Sequence, residues 1–290
     1  ARKAQKKIGG VFLCILSYYE VNFMIDMRES MTAKICSFAR AHHSNYEYEK
    51  EKIFDDYLAY EMMGKEEYEQ IGQMIEHTFY PRDFDPNKPF DRKRVGRLVD
   101  LYVSPIALSR IAYAERELKA FVQRYGVCQY VICGAGMDTF AFRNENPQIR
   151  IFETDHPDTQ RYKLKKIKNL GWNIPENVRY VPIDFSKDHL SEVLHSAGFD
   201  PLLPTFYAIL GVSYYLMLPV FEKLIGNIAA ASRADGKIVF DYPDETTFRK
   251  NGPERVSRLT QITASLGEPM AQGIAFAELQ HVLERHGLFI

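Results

Sequence analysis

The sequence predicts an α/β fold: a mostly parallel sheet with helices on both faces, preceded by an N-terminal helical cap. Three observations carry that expectation. Five apolar segments, Gln129 to Cys133, Arg150 to Thr154, Val178 to Ile183, Thr205 to Leu210 and Lys237 to Asp241, alternate with stretches long enough for crossover helices. That is the pattern of parallel strands buried on both faces. The first segment runs into the turn Gly134-Ala135-Gly136, and the second ends in Glu153 and Asp155. A glycine turn and an acid at neighbouring strand ends are how an open sheet builds a nucleoside pocket, with backbone beneath the ligand and a carboxylate for ribose hydroxyls.

Residues 1–120 read as the helical cap and residues 121–290 as the sheet core. In the cap, Met31 to Arg40 and Ile53 to Met63 space their apolar residues at three and four, predicting two amphipathic helices. Between Phe79 and Pro89 three prolines and polar turn residues predict a loop. The cluster Arg92-Lys93-Arg94 with Arg97 reads as a solvated face. Ser109 to Tyr125 predicts a helix leading into the first strand. At the N-terminus, basic residues precede the short apolar run Val11 to Leu16, but Ser17-Tyr18-Tyr19-Glu20 follows where a signal peptide would place small residues. An amphipathic element packed on the fold is expected there. At the other end, Gly287-Leu288-Phe289-Ile290 reads as the opening of a sixth strand, so an unfinished sheet is expected.

Composition narrows the function classes. A chain of 290 residues with 46% hydrophobic content supports a substantial core. Lys and Arg total 37 against 38 Asp and Glu, a net charge of -1 that offers no general attraction to nucleic acid or to an anionic membrane. No run approaches the ~20 apolar residues needed to span a bilayer. Cys14, Cys36, Cys128 and Cys133 show no C-x-x-C spacing and read as buried thiols of a cytoplasmic protein. The histidines offer no H-x-x-x-H arrangement for a metal, and no G-x-S-x-G elbow marks a hydrolase.

Ligands of open parallel sheets bind beyond the carboxyl ends of the strands, so chemistry is sought there. Gly134 and Gly136 let backbone approach a ligand, or form an ordinary tight turn. A third glycine three residues on would complete a pyrophosphate cradle; Thr139 stands there instead, which favours a cofactor with a ribose and no phosphate, such as S-adenosylmethionine. At the second strand end, Asp155 suits ribose hydroxyls, while Asp155 or Thr154 could instead cap a helix beginning at Pro157, which His156 helps to start. At the third, Asp184 could accept from an adenine amine with Phe185 against the base, or serve as a capping Asp beside a core Phe. The fourth carries only hydroxyls, at Ser213, Tyr214 and Tyr215. At the fifth, Asp241 and Asp244 read as loop and capping acids.

With these motifs in view, the chain resembles the leucine carboxyl methyltransferase family of class I S-adenosylmethionine-dependent methyltransferases, closest to its bacterial O-methyltransferase branch. The resemblance rests on Gly134-Ala135-Gly136-Met137-Asp138-Thr139 with Phe142-Arg143, on Phe152-Glu153-Thr154-Asp155-His156-Pro157, on Pro204-Thr205-Phe206 with Gly211-Val212-Ser213-Tyr214-Tyr215-Leu216, and on Gly267-Glu268-Pro269-Met270. Thr32-Ala33, Arg40-Ala41 and Ile53-Phe54-Asp55-Asp56 extend it upstream, so that it runs from about residue 30 to the end. It implies a Rossmann-like sheet, with Gly134, Ala135 and Gly136 under the methionine part of the cofactor, Asp155 on the ribose, and Asp184 and Phe185 at the adenine. It implies further that Arg110 pairs with the cofactor carboxylate, and that Lys34 and Arg40 belong to a cap folded over the pocket. Leu210 stands where many relatives carry Glu, so a carboxylate expected near the cofactor's amino group is missing.

Methyl transfer from a sulfonium needs alignment and a deprotonated acceptor more than a strong acid or base, and no catalytic residue is singled out. The expected activity is O-methylation of a carboxylate or hydroxyl on a small molecule or protein C-terminus, leaving S-adenosylhomocysteine. The alternative is a non-catalytic cofactor-binding or interaction protein, suggested by Leu210 and the unfinished sheet. A nicotinamide-dependent oxidoreductase is disfavoured by Thr139.

Overall fold

The computed structural model describes residues 30–46, 51–233, 235–249, 252–270 and 273–290. The element expected at Val11 to Leu16, with Cys14, lies outside them. Apolar runs flanked by turns become five strands, β1 (Cys128–Cys133), β2 (Ile149–Asp155), β3 (Val178–Pro182), β4 (Thr205–Ile209) and β5 (Lys237–Phe240). They form one sheet in the order β3-β2-β1-β4-β5, with every neighbouring pair parallel. Ile183, Leu210 and Asp241, expected as strand residues, fall just past the strand ends.

All six residues of β1 are buried because the sheet is covered on both sides. On one face Val131, Phe152, Tyr207 and Ile209 pack against α8 (Leu190–Ser196), α9 (Leu218–Ala231) and α11 (Phe276–Arg285). On the other, Tyr130, Ile132, Phe206 and Ala208 meet Ala114, Leu118 and Phe121 of α5 (Ser104–Tyr125). Truncating a ring such as Phe206 would cost about 3–5 kcal/mol at such a site. The crossovers also hold α6 (Phe140–Arg143) and α7 (Pro157–Leu170), and α10 (Glu254–Ser265) follows β5.

The cap contributes α1 (Met31–Tyr46), α2 (Ala59–Met63), α3 (Lys65–Phe79) and α4 (Arg92–Tyr102), packed around stacked Phe38 and Tyr68 rings whose centroids lie 4.6 Å apart. The proline-rich loop separates α3 from α4, and Asp91 caps α4 by accepting from the backbone N–H groups of Lys93 and Arg94. In the basic cluster, Lys93 and Arg97 are exposed, while Arg92 pairs with Glu69 and Arg94 with Glu76.

Two expectations are corrected. The helix expected over Ile53 to Met63 forms only from Ala59, because side chains of α1 take the earlier backbone donors. The Ile53 N–H donates to His43 Nε2 at 3.1 Å, and the Asp56 N–H to Ser44 Oγ at 2.8 Å. Ile53 and Tyr57 are exposed, so their helical spacing marks no core-facing stripe. Residues 287–290, expected to open a sixth strand, carry no strand here. They close α11: Gly287, at φ +71°, donates to Glu284 O and Leu288 donates to Leu283 O, both at 3.0 Å, the paired bonds of a Schellman cap.

Candidate functional site

In this strand order the crossovers from β1 run outward in one direction and the connection into β4 in the other, so a crevice opens between their carboxyl ends, where Cys133 and Ile209 pair. A cavity of about 890 Å³ occupies it and continues beneath α1, α3, α4 and α10.

The glycine turn forms the floor. Gly134 sits at φ +73°, and a Cβ there would come within 2.4 Å of Val212 Cγ2, so glycine is required both by conformation and by the close approach of the β4 loop. The N–H groups of Gly134 and Ala135 donate to Thr154 O at 2.8 and 3.1 Å, tying the turn to β2. The Gly136 N–H donates to Asp155 Oδ2 at 2.5 Å and the His156 N–H to Oδ1 at 2.6 Å. Asp155 is thereby held in place on the cavity wall. Burial raises its carboxyl above the ordinary range, against the lowering effect of those two donors. Neither Thr154 nor Asp155 caps α7; His156 does, accepting from the Asp158 N–H.

Asp184 and Phe185 also line the cavity. The Asp184 carboxylate accepts from Lys187 Nζ at 2.6 Å, Ser186 Oγ at 2.6 Å and the Ser186 N–H at 3.0 Å. Those donors, Lys187 foremost, hold its carboxyl down at about 2. The turn-capping role left open by the sequence is thus made here, and Phe185 presents the apolar surface beside it.

Arg110 reaches the cavity from α5. Its Nη1 lies 3.1 Å from Asp241 Oδ2 and its Nη2 lies 3.7 Å from Cys36 Sγ, while Nε is buried with no partner among the described residues. Asp241 Oδ1 accepts from the Gly211 N–H at 2.6 Å. Gly211, at φ +71°, leaves room for the guanidinium: a Cβ would be 2.4 Å from Arg110 Nη2. Leu210 packs with the apolar residues under α5. The carboxylate in this corner is therefore Asp241, a residue the sequence offers only as one loop acid among several.

The two cap residues diverge. Arg40 lines the cavity but is engaged by structure: its Nη1 donates to Asp56 Oδ2 and its Nη2 to Met137 O, both at 2.7 Å. Lys34 is engaged by the cap and α7: its ammonium lies 3.2 Å from Glu67 Oε1 and over the Tyr162 ring. Asp56, fully buried, also accepts from Thr139 Oγ1 at 2.5 Å, with Arg143 Nε at 3.4 Å. Thr139, in the place of a third glycine, therefore ties the glycine turn to the cap.

Glu268 performs a similar task at the cavity's other edge. It accepts from the Met31 N–H at 2.6 Å, from Ser30 Oγ at 3.1 Å and from the Thr32 hydroxyl, fixing the start of α1. Sequence supplied Asp56 and Glu268 only as members of resembling motifs, without a role. Among the described residues no three His, Cys, Asp or Glu side chains gather as a metal site, and no helix is long and apolar enough to cross a membrane.

These features suit S-adenosylmethionine. The buried Arg110 Nε, without a partner among the described residues, would fit an amino-acid carboxylate, lone pairs left on Asp155 would suit ribose hydroxyls, and the bare Gly134 backbone admits close approach. Comparison with known proteins agrees. A family model described as leucine carboxyl methyltransferase matches residues 33–229. YktD of Bacillus subtilis (strain 168), provisionally named an S-adenosyl-L-methionine-dependent methyltransferase, is 36% identical over 267 residues, 90% of this chain and 86% of its own. A similarly named Mycobacterium tuberculosis protein is 31% identical over 140 residues, 46% of each chain. Among solved structures, a DUF574 family protein from Streptomyces avermitilis shares the fold over 74% of this chain and 82% of its own, with a TM-score of 0.50 at 15% identity. The chain belongs to the leucine carboxyl methyltransferase family of S-adenosylmethionine-dependent methyltransferases.

Proposed function

We propose that this chain binds S-adenosylmethionine at the β1–β4 crevice and methylates a carboxylate oxygen of its acceptor. Gly134 and Ala135 would underlie the methionine part, Arg110 would hold its carboxylate, Asp155 the ribose, and Phe185 would lie at the base. When bound there, the cofactor would supply a sulfonium methyl, which a carboxylate oxygen would take as the carbon–sulfur bond broke onto sulfur, giving a methyl ester and a neutral thioether. No proton moves, because a carboxylate is already ionised at neutral pH. The observation that carries the choice of carboxylate is the state of the polar groups around the crevice. Burial raises the Tyr215 phenol to about 12 and the Tyr214 phenol further, so both stay protonated as donors. Glu268 is engaged by the start of α1. Neither these phenols nor Glu268 is placed to take a proton from a hydroxyl.

Calorimetry tests the cofactor assignment. S-adenosylhomocysteine should bind and NAD should not, and Asp155→Ala should weaken binding at least tenfold. Binding of NAD in its place would overturn the reading. A second reading, a cofactor-binding protein without activity, is favoured by Leu210 alone. It predicts that cofactor binds and that no carboxylate or phenol is methylated.

A further inference from the structure

We infer that the acceptor is a small monocarboxylic acid with a hydrocarbon body, not a peptide terminus or a polyhydroxylated compound; this rests on the carboxylate reading above. The cavity of about 890 Å³ stands near the top of the range for small-molecule sites, about 300–1,000 Å³. Only the wall supplied by the sheet and α5 carries the glycine turn, Asp155 and Arg110. The wall supplied by the cap and α10 is of another character. Met74, Phe79, Leu98, Ile262 and Leu266 supply most of its surface, Ile106 of α5 adjoins them, and Arg40, Ser30 and Glu268 lie at its margin.

The hydroxyls that reach this wall are largely committed. Thr78 Oγ1 donates to Met74 O at 2.7 Å, and Thr263 Oγ1 donates to Thr260 O at 3.2 Å, each closing onto its own helix. Tyr102 sets its ring against Phe79 with centroids 5.1 Å apart, so its apolar body also faces the cavity. Arg258 of α10 lies over the Phe79 ring, its guanidinium carbon 4.6 Å from the centroid, and so fastens α10 to α3. A peptide entering here would bring an amide donor and an acceptor per residue and find few partners for them. A sugar or polyol would meet the same difficulty at each hydroxyl. A hydrocarbon chain needs no partners and tightens by roughly fourfold per buried methylene. The acid's single charge is then left for the Tyr215 phenol, which lines the cavity near Arg110, while the Tyr214 phenol is hydrogen-bonded to Asp241.

The test titrates straight-chain alkanoates from butanoate to decanoate into protein saturated with S-adenosylhomocysteine, by calorimetry. In parallel, methyl ester formation with S-adenosylmethionine is read by mass spectrometry. Affinity should rise by roughly three- to fourfold per methylene over part of the series. Decanedioate, decanol and a short peptide with a free C-terminus should bind at least tenfold more weakly than decanoate. Ile262→Asn and Ile106→Asn should each weaken decanoate about tenfold while leaving S-adenosylhomocysteine affinity unchanged, which also shows that the variants are folded. The inference is overturned if the peptide or decanedioate binds as tightly as decanoate, if affinity is independent of chain length, or if both folded variants bind decanoate as the parent does. Binding of S-adenosylhomocysteine without binding of any alkanoate overturns this inference alone. Failure of S-adenosylhomocysteine to bind overturns the cofactor assignment beneath it.

Discussion

Arg110 and Asp241, 131 residues apart in sequence, meet at 3.1 Å between α5 and the end of β5. The pair fixes a guanidinium over the bare backbone of Gly211 while leaving Nε of Arg110 without a partner among the described residues. The charge balance in this corner of the cavity is therefore set by a contact between two distant segments, and Leu210 contributes no charge to it.

Replacing Asp241 with Asn removes the counter-charge and should lower the stability of the ligand-free protein by about 1–3 kcal/mol. S-adenosylhomocysteine should then stabilise the variant more than the parent, because its carboxylate restores an anion beside Arg110. Thermal unfolding with and without ligand measures both effects. An equal or smaller ligand shift in the variant would show that the ligand carboxylate does not reach Arg110.

Gly211→Ala adds a Cβ 2.4 Å from Arg110 Nη2 at a backbone φ of +71°. The expected result is a loss of about 1–3 kcal/mol in stability and at least a tenfold loss of S-adenosylhomocysteine affinity as the guanidinium is displaced. A variant that binds as the parent does would show that Arg110 can move without consequence.

Asp56 is the buried anion shared by Arg40, Arg143 and Thr139. Asp56→Ala leaves Arg40 buried without its partner, and unfolding in urea should show a loss of about 3–5 kcal/mol. A loss under about 1 kcal/mol would mean that water or Glu115 compensates.

Glu153 gives a prediction in pH. Burial raises its carboxyl to about 7, although Lys163 pulls it down. Between its ordinary value near 4.5 and about 7 the folded protein holds a proton that the unfolded chain has released. Its contribution is complete below that window and is lost as pH rises through it. Urea unfolding at several pH values should show a flatter profile for Glu153→Gln than for the parent. Identical slopes would place the titration elsewhere.

The sheet was legible because apolar runs covered on both faces, such as Tyr130 to Cys133, have few other uses, and the positive φ of Gly134 announces itself as glycine. The strand ends were overrun by one residue at Ile183, Leu210 and Asp241, since hydropathy does not mark where a ladder stops. The segment Ile53 to Leu58 misled because its helical spacing is real while His43 and Ser44 take its backbone donors. Arg110 could be placed on a helix before β1, but Asp241 could not be told from Asp244: only the tertiary fold distinguishes them. Thr139 was informative as a missing glycine, and its bond to Asp56 required the cap to be in place.

Glu268 gives chain length a meaning that the sheet alone lacks. Among the described residues the strands and the glycine turn all lie before Asp241, whereas the roof over the chamber is fastened only where a carboxylate twenty-eight positions beyond Phe240, by the numbering of the two residues, meets Ser30 and Met31. Trimming either end past that contact should leave the sheet with an open chamber. Folding of the sheet and enclosure of the chamber above it thus have different minimum sequences.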